Sequence, residues 1–406
     1  MARNLDLKSV GPNTLAIHAG ERPDPATGAS SPNIVMSSTY VTDGPEAFSA
    51  SELTPDSPLV YTRWANPTVR SLEEKVAALE GAEDAAAFAS GMAAAAAICL
   101  SRLSSGDHMI LSEVCYAGIA ELARDTLPRM GIAVSFLDTS DLTAVANAMR
   151  DETRLVFIDT PCNPLMRLTD IAGVAAITKG TEALLAVDNT FASPIGCNPL
   201  ALGADLVMHS ATKYIGGHGD AMGGVVCGAA DLIRPMMAEA TVHYGGVISP
   251  FNAWLIARGA ATLPLRMKAH QDTALAVARA LEDHPKIERV LYPGLPSHPQ
   301  HNLAGQQMNN FSAMLNFRVK GGAAEGQAVA ERMGQGLDIV HYAVSLGHHR
   351  SLVVWMPTEG LLESSFPLKG TAAEEYRAWA GEGIFRLSVG LEDADDLVRD
   401  LEGVLG

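Results

Sequence analysis

The chain contains 406 residues, of which 48% are hydrophobic and 18% are charged. This length and composition predict a globular protein of two or three domains and exclude a disordered chain. The formal net charge is −17, from 29 basic and 46 acidic residues, which argues against a nucleic acid or an anionic membrane as a partner.

The five cysteines are odd in number, and none lies in a C-x-x-C pair. This usage is typical of reduced thiols in the cytosol. The amino terminus has no apolar core of signal-peptide length, and the apolar stretch 85–100 is too short to span a bilayer. We therefore expect a soluble, cytoplasmic protein.

Residues 1 to about 60 show no regular pattern, and 43–58 has the Pro, Ser, Asp and Glu content of a loop. From about 70 to 230, short apolar runs alternate with helical patterns such as 141–150 and 170–179. The runs are 85–90, 108–112, 133–137, 154–159, 183–188, 205–210 and 223–228. Near-continuous apolar strands separated by helices predict an α/β fold with a mostly parallel sheet covered on both faces.

The pattern changes after about residue 260. A helix is predicted over 268–283, strands over 311–319 and 384–389, and a final helix over 393–404. These elements predict a smaller C-terminal α+β domain.

Ligands of parallel sheets bind beyond the carboxyl ends of the strands, so polar residues at those ends are candidate site residues. After the first run, Ser90, Gly91 and Met92 begin an alanine-rich helix. Glycine allows a phosphate to approach the backbone, and the helix amino terminus offers free N–H groups. A simple tight turn explains the same residues equally well.

Tyr116 follows the second run, where it could stack on a planar ring or complete the core. Asn163 lies between two prolines in TPCNP (160–164), which fixes the backbone and aims one amide side chain. A rigid turn is the alternative for Asn163.

Asp188 ends the fifth run, and a carboxylate there needs a cationic partner unless it caps a helix. Lys213 follows the sixth run, where burial would lower its pKa and allow imine formation. Ser210 and Thr212 could hold a phosphate through their hydroxyls. Each residue has an ordinary structural explanation. Together they provide the phosphate anchor, ring stack, hydrogen-bond donor, pyridinium partner and amine that pyridoxal 5'-phosphate (PLP) requires.

The tract SATKYIGGHGD (210–220) closely resembles the cofactor-lysine signature of the PLP-dependent enzymes of cysteine and methionine metabolism. Further similar tracts follow in family order from about residue 14 to 404: YTRWANPTV (61–69), FASGMAA (88–94), DTPCNP (159–164), AVDNTF (186–191), YPGLPSHPQ (292–300), AVSLG (343–347) and FRLSVGLED (385–393). The resemblance implies a fold-type I transferase with a seven-stranded sheet.

The resemblance also implies a role for each site residue. Lys213 would carry PLP as a Schiff base and then move protons, assisted by Tyr116 stacked on the ring. The remaining cofactor contacts would be Asp188 to the pyridine nitrogen, Asn163 to the ring hydroxyl, and Gly91, Met92, Ser210 and Thr212 to the phosphate. Arg386 and Ser345 would hold the substrate carboxylate.

In this family, residues matching Tyr61 and Arg63 reach the phosphate of a neighbouring subunit. The resemblance therefore implies a homo-oligomer, expected to be a tetramer built as a dimer of dimers. The expected division is an extended N-terminal segment (1–62) that contacts the neighbouring subunit, a PLP-binding domain (63–260) and a C-terminal domain (261–406).

The substrate is expected to be a small γ-substituted L-amino acid, with no metal required. Enzymes that act on cystathionine usually carry a glutamate where this chain has Val344, as methionine γ-lyases do. This difference favours a γ-lyase or a sulfhydrylase over an enzyme that acts on cystathionine. Gly118 replaces the cysteine typical of methionine γ-lyases, and His348-His349-Arg350 replaces small and acidic residues. These departures suggest another γ-leaving group, such as that of canavanine γ-lyases. The alternatives are a γ-replacement enzyme, namely a homoserine-ester sulfhydrylase or cystathionine γ-synthase, and a PLP-binding protein without turnover.

Two other interpretations of these motifs have less support. Ser210 and Lys213 have the S-x-x-K spacing of β-lactamases, but the partner motifs are absent from the sequence. His348 and His349 could bind a metal, although adjacent histidines usually point apart.

Overall fold

The computed structural model describes residues 6–44, 49–52 and 57–406. Its described residues form a seven-stranded sheet and a separate five-stranded sheet. The helices are α1 (Pro12–His18), α2 (Pro67–Glu80), α3 (Gly91–Arg102), α4 (Ala117–Glu121), α5 (Leu142–Ala148), α6 (Ile171–Thr178), α7 (Ser193–Gly196), α8 (Ala230–Met237), α9 (Pro250–Ala260), α10 (Leu263–Asp283), α11 (His301–Gln307), α12 (Gly322–Gly336), α13 (Thr358–Glu363), α14 (Thr371–Ala380) and α15 (Ala394–Leu405).

The large sheet is formed by the seven predicted apolar runs. Its strands are β1 (Asp84–Phe88), β2 (His108–Ser112), β3 (Ala133–Leu137), β4 (Thr153–Asp159), β5 (Leu184–Asp188), β6 (Leu206–His209) and β7 (Gly224–Gly228). They lie in the order β1-β7-β6-β5-β4-β2-β3, and only β7 runs antiparallel to its neighbours. The prediction of a mostly parallel, seven-stranded α/β sheet is therefore confirmed.

The C-terminal sheet contains β8 (Ile287–Leu291), β9 (Met314–Val319), β10 (His341–Tyr342), β11 (Leu352–Pro357) and β12 (Gly383–Ser388), in the order β10-β11-β12-β9-β8. The stacked rings of Phe317 and Phe385, whose centroids are 5.0 Å apart, pack between β9 and β12. The smaller α+β domain is confirmed, whereas the domain boundaries remain a prediction.

One hydrophobic core extends from α2 and the large sheet through α10 to the small sheet. It includes Val225 of β7, Met267 of α10 and Leu315 of β9, all completely buried. The two sheets are therefore joined by continuous apolar packing.

The amino-terminal region differs from the irregular segment that was predicted, because residues 12–18 form α1. Pro12 occupies the first turn, where its missing N–H costs nothing. Ala16 is buried against Leu72 and Val76 of α2, and this packing stabilises a helix too short to persist alone. Parts of the predicted loop 43–58, namely 45–48 and 53–56, lie outside the described residues.

Among the residues that the structure describes, no helix has both the length and the apolar character needed to cross a membrane.

Helix α9 touches the backbone that follows Lys213. A Cβ at Gly259 would lie 2.0 Å from the Gly216 carbonyl oxygen, so only glycine permits this approach. Arg266 reinforces the contact by donating to the carbonyl oxygens of Tyr214 and Gly259, each at 2.8 Å. The segment after Lys213 is thus fixed by the corner between α9 and α10.

We expect Gly259→Ala to lower the free energy of unfolding by about 1–3 kcal/mol, because the added methyl overlaps fixed backbone. Gly305→Ala is the matched control, since it lies in α11 with nothing within 4 Å of its Cβ position. It should leave stability unchanged or raise it by up to about 1 kcal/mol. Urea unfolding curves measure both effects, and equal stability of the two variants would contradict the steric argument.

Candidate active site

Lys213 lies where the two sheets meet. It follows β6 in sequence, and its Nζ donates a 2.9 Å hydrogen bond to Ser345 Oγ, which lies on the loop between β10 and β11. Burial, together with the positive charge of Arg386, lowers the pKa of Lys213 to about 8. A substantial fraction of the amine is therefore neutral, and nucleophilic, near physiological pH.

Arg386 on β12 carries a buried positive charge, with only 9% of its surface exposed. Its Nη1 donates to Asn163 Oδ1 at 2.9 Å and its Nη2 to the Ser345 carbonyl oxygen at 3.3 Å. Within the described part of the chain, no carboxylate lies within 4 Å of this guanidinium. The arrangement brings Asn163, Ser345 and Arg386 together and leaves a positive charge able to bind a substrate carboxylate.

Asp188 and Asp159 form a pair of buried carboxyl groups at the ends of β5 and β4, where they are register partners. Burial raises the pKa of Asp188, and burial together with the Asp188 charge holds the pKa of Asp159 well above its usual range. Asp188 Oδ1 accepts the Thr190 N–H at 3.0 Å. No lysine or arginine of the described residues pairs with either carboxyl, so a cation placed here would be stabilised.

The amino terminus of α3 provides the possible anion site. Ser90 caps this helix, with its Oγ accepting the Ala93 N–H at 3.1 Å. Gly91 lies against Ser210, because a Cβ at Gly91 would be 2.8 Å from Ser210 Cβ. Three of the predicted phosphate residues, Gly91, Met92 and Ser210, are therefore adjacent. The N–H groups of Gly91 and Met92 and the helix dipole suit an oxyanion, whereas the Ser210 N–H already donates to Thr190 Oγ1 at 2.8 Å.

Thr212 is placed nearby but its hydroxyl is already engaged. Thr212 Oγ1 donates to the Gly223 carbonyl oxygen at 3.1 Å and accepts the Gly223 N–H at 3.0 Å. It would have to give up the first bond to donate to a phosphate, a constraint that the sequence does not indicate.

Tyr116 is the N-cap residue of α4, and 48% of its surface is exposed, which suits a ring that receives a ligand. Gly118 is close to it, since a Cβ there would lie 2.9 Å from both Tyr116 Cε1 and Met92 Sδ. A side chain at position 118 would press on the tyrosine.

The loop between β10 and β11 carries Val344 and His348-His349-Arg350, the residues by which this chain differs from the family pattern. Ser345 has a φ of 103°, a strained value for a residue other than glycine. Val344 beside it is 73% exposed. His348 Nε2 lies 3.3 Å from Ser345 Oγ, whereas the ring of His349 packs 5.7 Å from that of His218. The adjacent histidines thus face different partners.

Tyr61 and Arg63 are not brought to Lys213 within this chain. Tyr61 forms an isolated bridge with Thr39, and Arg63 donates to the Val242 carbonyl oxygen while lying over the Tyr61 ring. Their predicted contact with a second subunit stays a prediction.

Two features were missed from the sequence. The first is Asp159, although it ends an apolar run in the same way as Asp188. The second is a buried network behind β5 and β6, in which Glu80 Oε1 accepts from Asn189 Nδ2 at 3.0 Å and lies 2.5 Å from His209 Nε2. Only the polar character of Asn189 and His209 at strand ends could have indicated it.

We expect the ligand-free protein to show Lys213 reactivity towards an amine reagent with a midpoint near pH 8, because only the neutral amine reacts. Arg386→Gln should move the midpoint to higher pH by removing a nearby positive charge. Arg377→Gln is the control, since this exposed arginine pairs with Glu359. Mass spectrometry of the labelled peptide gives the midpoint, and an unchanged value in Arg386→Gln would contradict the electrostatic assignment.

The geometry agrees with what comparison to known proteins finds. The model of the Cys/Met metabolism PLP-dependent enzyme family matches residues 13–406. O-succinylhomoserine sulfhydrylase of Pseudomonas aeruginosa is 43% identical over 399 residues, covering 98% of this chain and 95% of that protein. Canavanine γ-lyase of Rhizobium leguminosarum bv. trifolii is 41% identical over 404 residues, covering 98% and 97%. The crystal structure of metB from Corynebacterium glutamicum matches with a TM-score of 0.87 and 37% identity, covering 99% of each chain. The chain therefore belongs to the Cys/Met metabolism family of PLP-dependent enzymes, and it uses pyridoxal phosphate to act on small amino acids.

Proposed function

We propose that this enzyme eliminates the γ-substituent of an L-amino acid, as a methionine γ-lyase or a canavanine γ-lyase does. The observation that carries the proposal is Val344, an aliphatic and 73% exposed side chain next to Ser345. Cystathionine has a second ammonium group that needs an acidic partner, and Val344 offers none. The 41% identity to a canavanine γ-lyase supports the same choice.

The charges of the site fit PLP. A protonated pyridine nitrogen is the cation that the buried carboxyls of Asp188 and Asp159 lack. The phosphate suits the amino terminus of α3, where Gly91 packs directly against Ser210. The exposed Tyr116 ring suits stacking on a planar heterocycle.

When bound, PLP withdraws electrons from the substrate Cα and so stabilises the charge left by proton removal. The protein's own groups would do the rest. Arg386 would hold the substrate carboxylate through paired N–H donors, while Ser345 Oγ orients the Lys213 amine. Lys213 Nζ, with a pKa lowered to about 8, would take the proton from Cα and move protons at Cβ as the γ-substituent leaves. Tyr116 would assist these transfers, and Asn163 would orient the ring hydroxyl.

The remaining assignments are also proposals. Met92, Ser210 and Thr212 would complete the phosphate site, and Gly118 and Val344 would border the γ-substituent. Tyr61 and Arg63 would bind the phosphate held by a neighbouring subunit, which requires at least a dimer and is compatible with a tetramer in the cytoplasm.

A γ-replacement reaction is the second candidate. It is favoured by the 43% identity to an O-succinylhomoserine sulfhydrylase. In that reaction a thiol, rather than water, would complete the cycle.

We expect Lys213→Ala to abolish both the visible absorbance of lysine-bound PLP and all turnover, because no other amine would occupy this position. Lys268→Ala is the control, since this exposed lysine pairs with Asp272 on α10. Absorbance spectra and assays of 2-oxo acid and ammonia measure the two effects. Retention of both in Lys213→Ala would overturn the proposal, and absorbance without turnover in the wild type would indicate a binding protein.

We expect a substrate panel to separate the candidate reactions. Methionine, homocysteine, cystathionine, O-acetylhomoserine, O-succinylhomoserine and canavanine are each tested with and without added sulfide. The products measured are 2-oxobutanoate, homoserine, homocysteine and ammonia. Methionine or canavanine should be the best substrate, because Val344 provides no charge for the distal end of cystathionine. Best activity on cystathionine would refute the argument from Val344, and sulfide-dependent homocysteine formation would favour replacement.

A further inference from the structure

A chain of hydrogen bonds leads from Lys213 to His348. Lys213 Nζ donates to Ser345 Oγ at 2.9 Å, and Ser345 Oγ lies 3.3 Å from His348 Nε2. Because the Ser345 oxygen accepts from the lysine, its own hydrogen is free to point at the histidine. His348 is thus the third member of a directed chain that begins at the amine.

His348 occupies the outer end of this chain. It is half-buried, and its ring fills the space above Gly219, where a Cβ would come within 2.8 Å of it. Burial lowers its pKa, and Lys213, His349 and Arg350 lower it further, whereas Asp220 raises it. A half-buried, neutral imidazole that feels the charge of exposed Asp220 can accept a proton from Ser345 and release it to water.

We propose that His348 is a positioning residue that relays protons between the Lys213 amine and solvent through Ser345 Oγ. This inference rests on the proposed function, because γ-elimination requires Lys213 to gain and lose protons repeatedly.

The relay conserves charge. The Lys213 ammonium gives one proton to Ser345 Oγ, and Ser345 gives its own hydroxyl proton to His348 Nε2. Lys213 becomes neutral, His348 becomes an imidazolium, and no bond between heavy atoms changes. The imidazolium then gives the proton to water. A positive charge on either residue makes protonation of the other less favourable. Loss of the lysine proton therefore makes His348 a better base.

His349 provides a matched control. It is the next residue and is also partly buried, but its Nδ1 has no hydrogen-bond partner and its ring packs against His218. Replacing it removes an imidazole from the same loop while both hydrogen bonds of the chain from Lys213 to His348 remain.

In the PLP-loaded enzyme, we expect His348→Ala to lower kcat about tenfold while KM changes little, since proton transfer rather than binding is impaired. Imidazole added to the buffer should restore much of the lost kcat. His349→Ala should keep the wild-type kcat and show no imidazole effect. In a Ser345→Ala background, His348→Ala should have no further effect, because the chain is already broken. A wild-type kcat in His348→Ala, or a loss that imidazole does not relieve, would overturn the relay.

A second measurement does not depend on turnover. In cofactor-free protein, NMR titration of the His348 imidazole, identified by its loss in His348→Ala, should move to higher pH in Lys213→Met, because a repelling charge is removed. An unmoved His348 titration would show that the two groups are not coupled. If no substrate of the panel underwent γ-elimination but this shift was found, the proposed reaction would be wrong. The coupling between Lys213 and His348 would still stand.

Discussion

The hydrogen bond from Lys213 Nζ to Ser345 Oγ determines how the rest of the site is built. It joins the loop between β6 and β7 of the large sheet to the loop between β10 and β11 of the small sheet, so both backbones must be held in position. Close contacts on each side provide this: Gly259 packs on Gly216, and a Cβ at Gly347 would lie 2.7 Å from the Tyr214 nitrogen. Glycine is therefore required at 259 and 347, because a side chain there would overlap the backbone that positions Lys213.

The charges around Lys213 are arranged before any ligand binds. Among the residues that the structure describes, no lysine or arginine pairs with the buried carboxyls of Asp159 and Asp188, and no carboxylate pairs with the buried guanidinium of Arg386. Such groups are costly in isolation, and the fold keeps them because a ligand with complementary charges would compensate for them. Lys213 has its pKa lowered by burial and by Arg386. The site is thus preorganised for charge that develops near the amine.

The sequence predicted those features that depend on local pattern. All seven strands of the large sheet were located within two residues, because buried strands leave continuous apolar runs. The residues at their carboxyl ends could be identified for the same reason, and the resemblance to a family added Ser345 and Arg386.

Features that depend on long-range contacts could not be predicted. The coupling of Asp159 to Asp188 requires knowing that β4 and β5 are neighbours. The engagement of Thr212 with Gly223 and the contact of His348 with Ser345 require the loop conformations themselves. Helix α1 was missed because packing on α2, rather than periodicity, stabilises it.

The continuous core between the two sheets limits how a substrate can enter the site and how a product can leave it. A rigid-body rotation of one sheet away from the other would disrupt the close packing around Val225, Met267 and Leu315. Entry and exit must then rely on short segments at the rim, among them the loop with the strained Ser345. The rate of product release would then depend on a few exposed residues such as Val344. Replacing them could change the turnover rate without disturbing the packed core that positions Lys213.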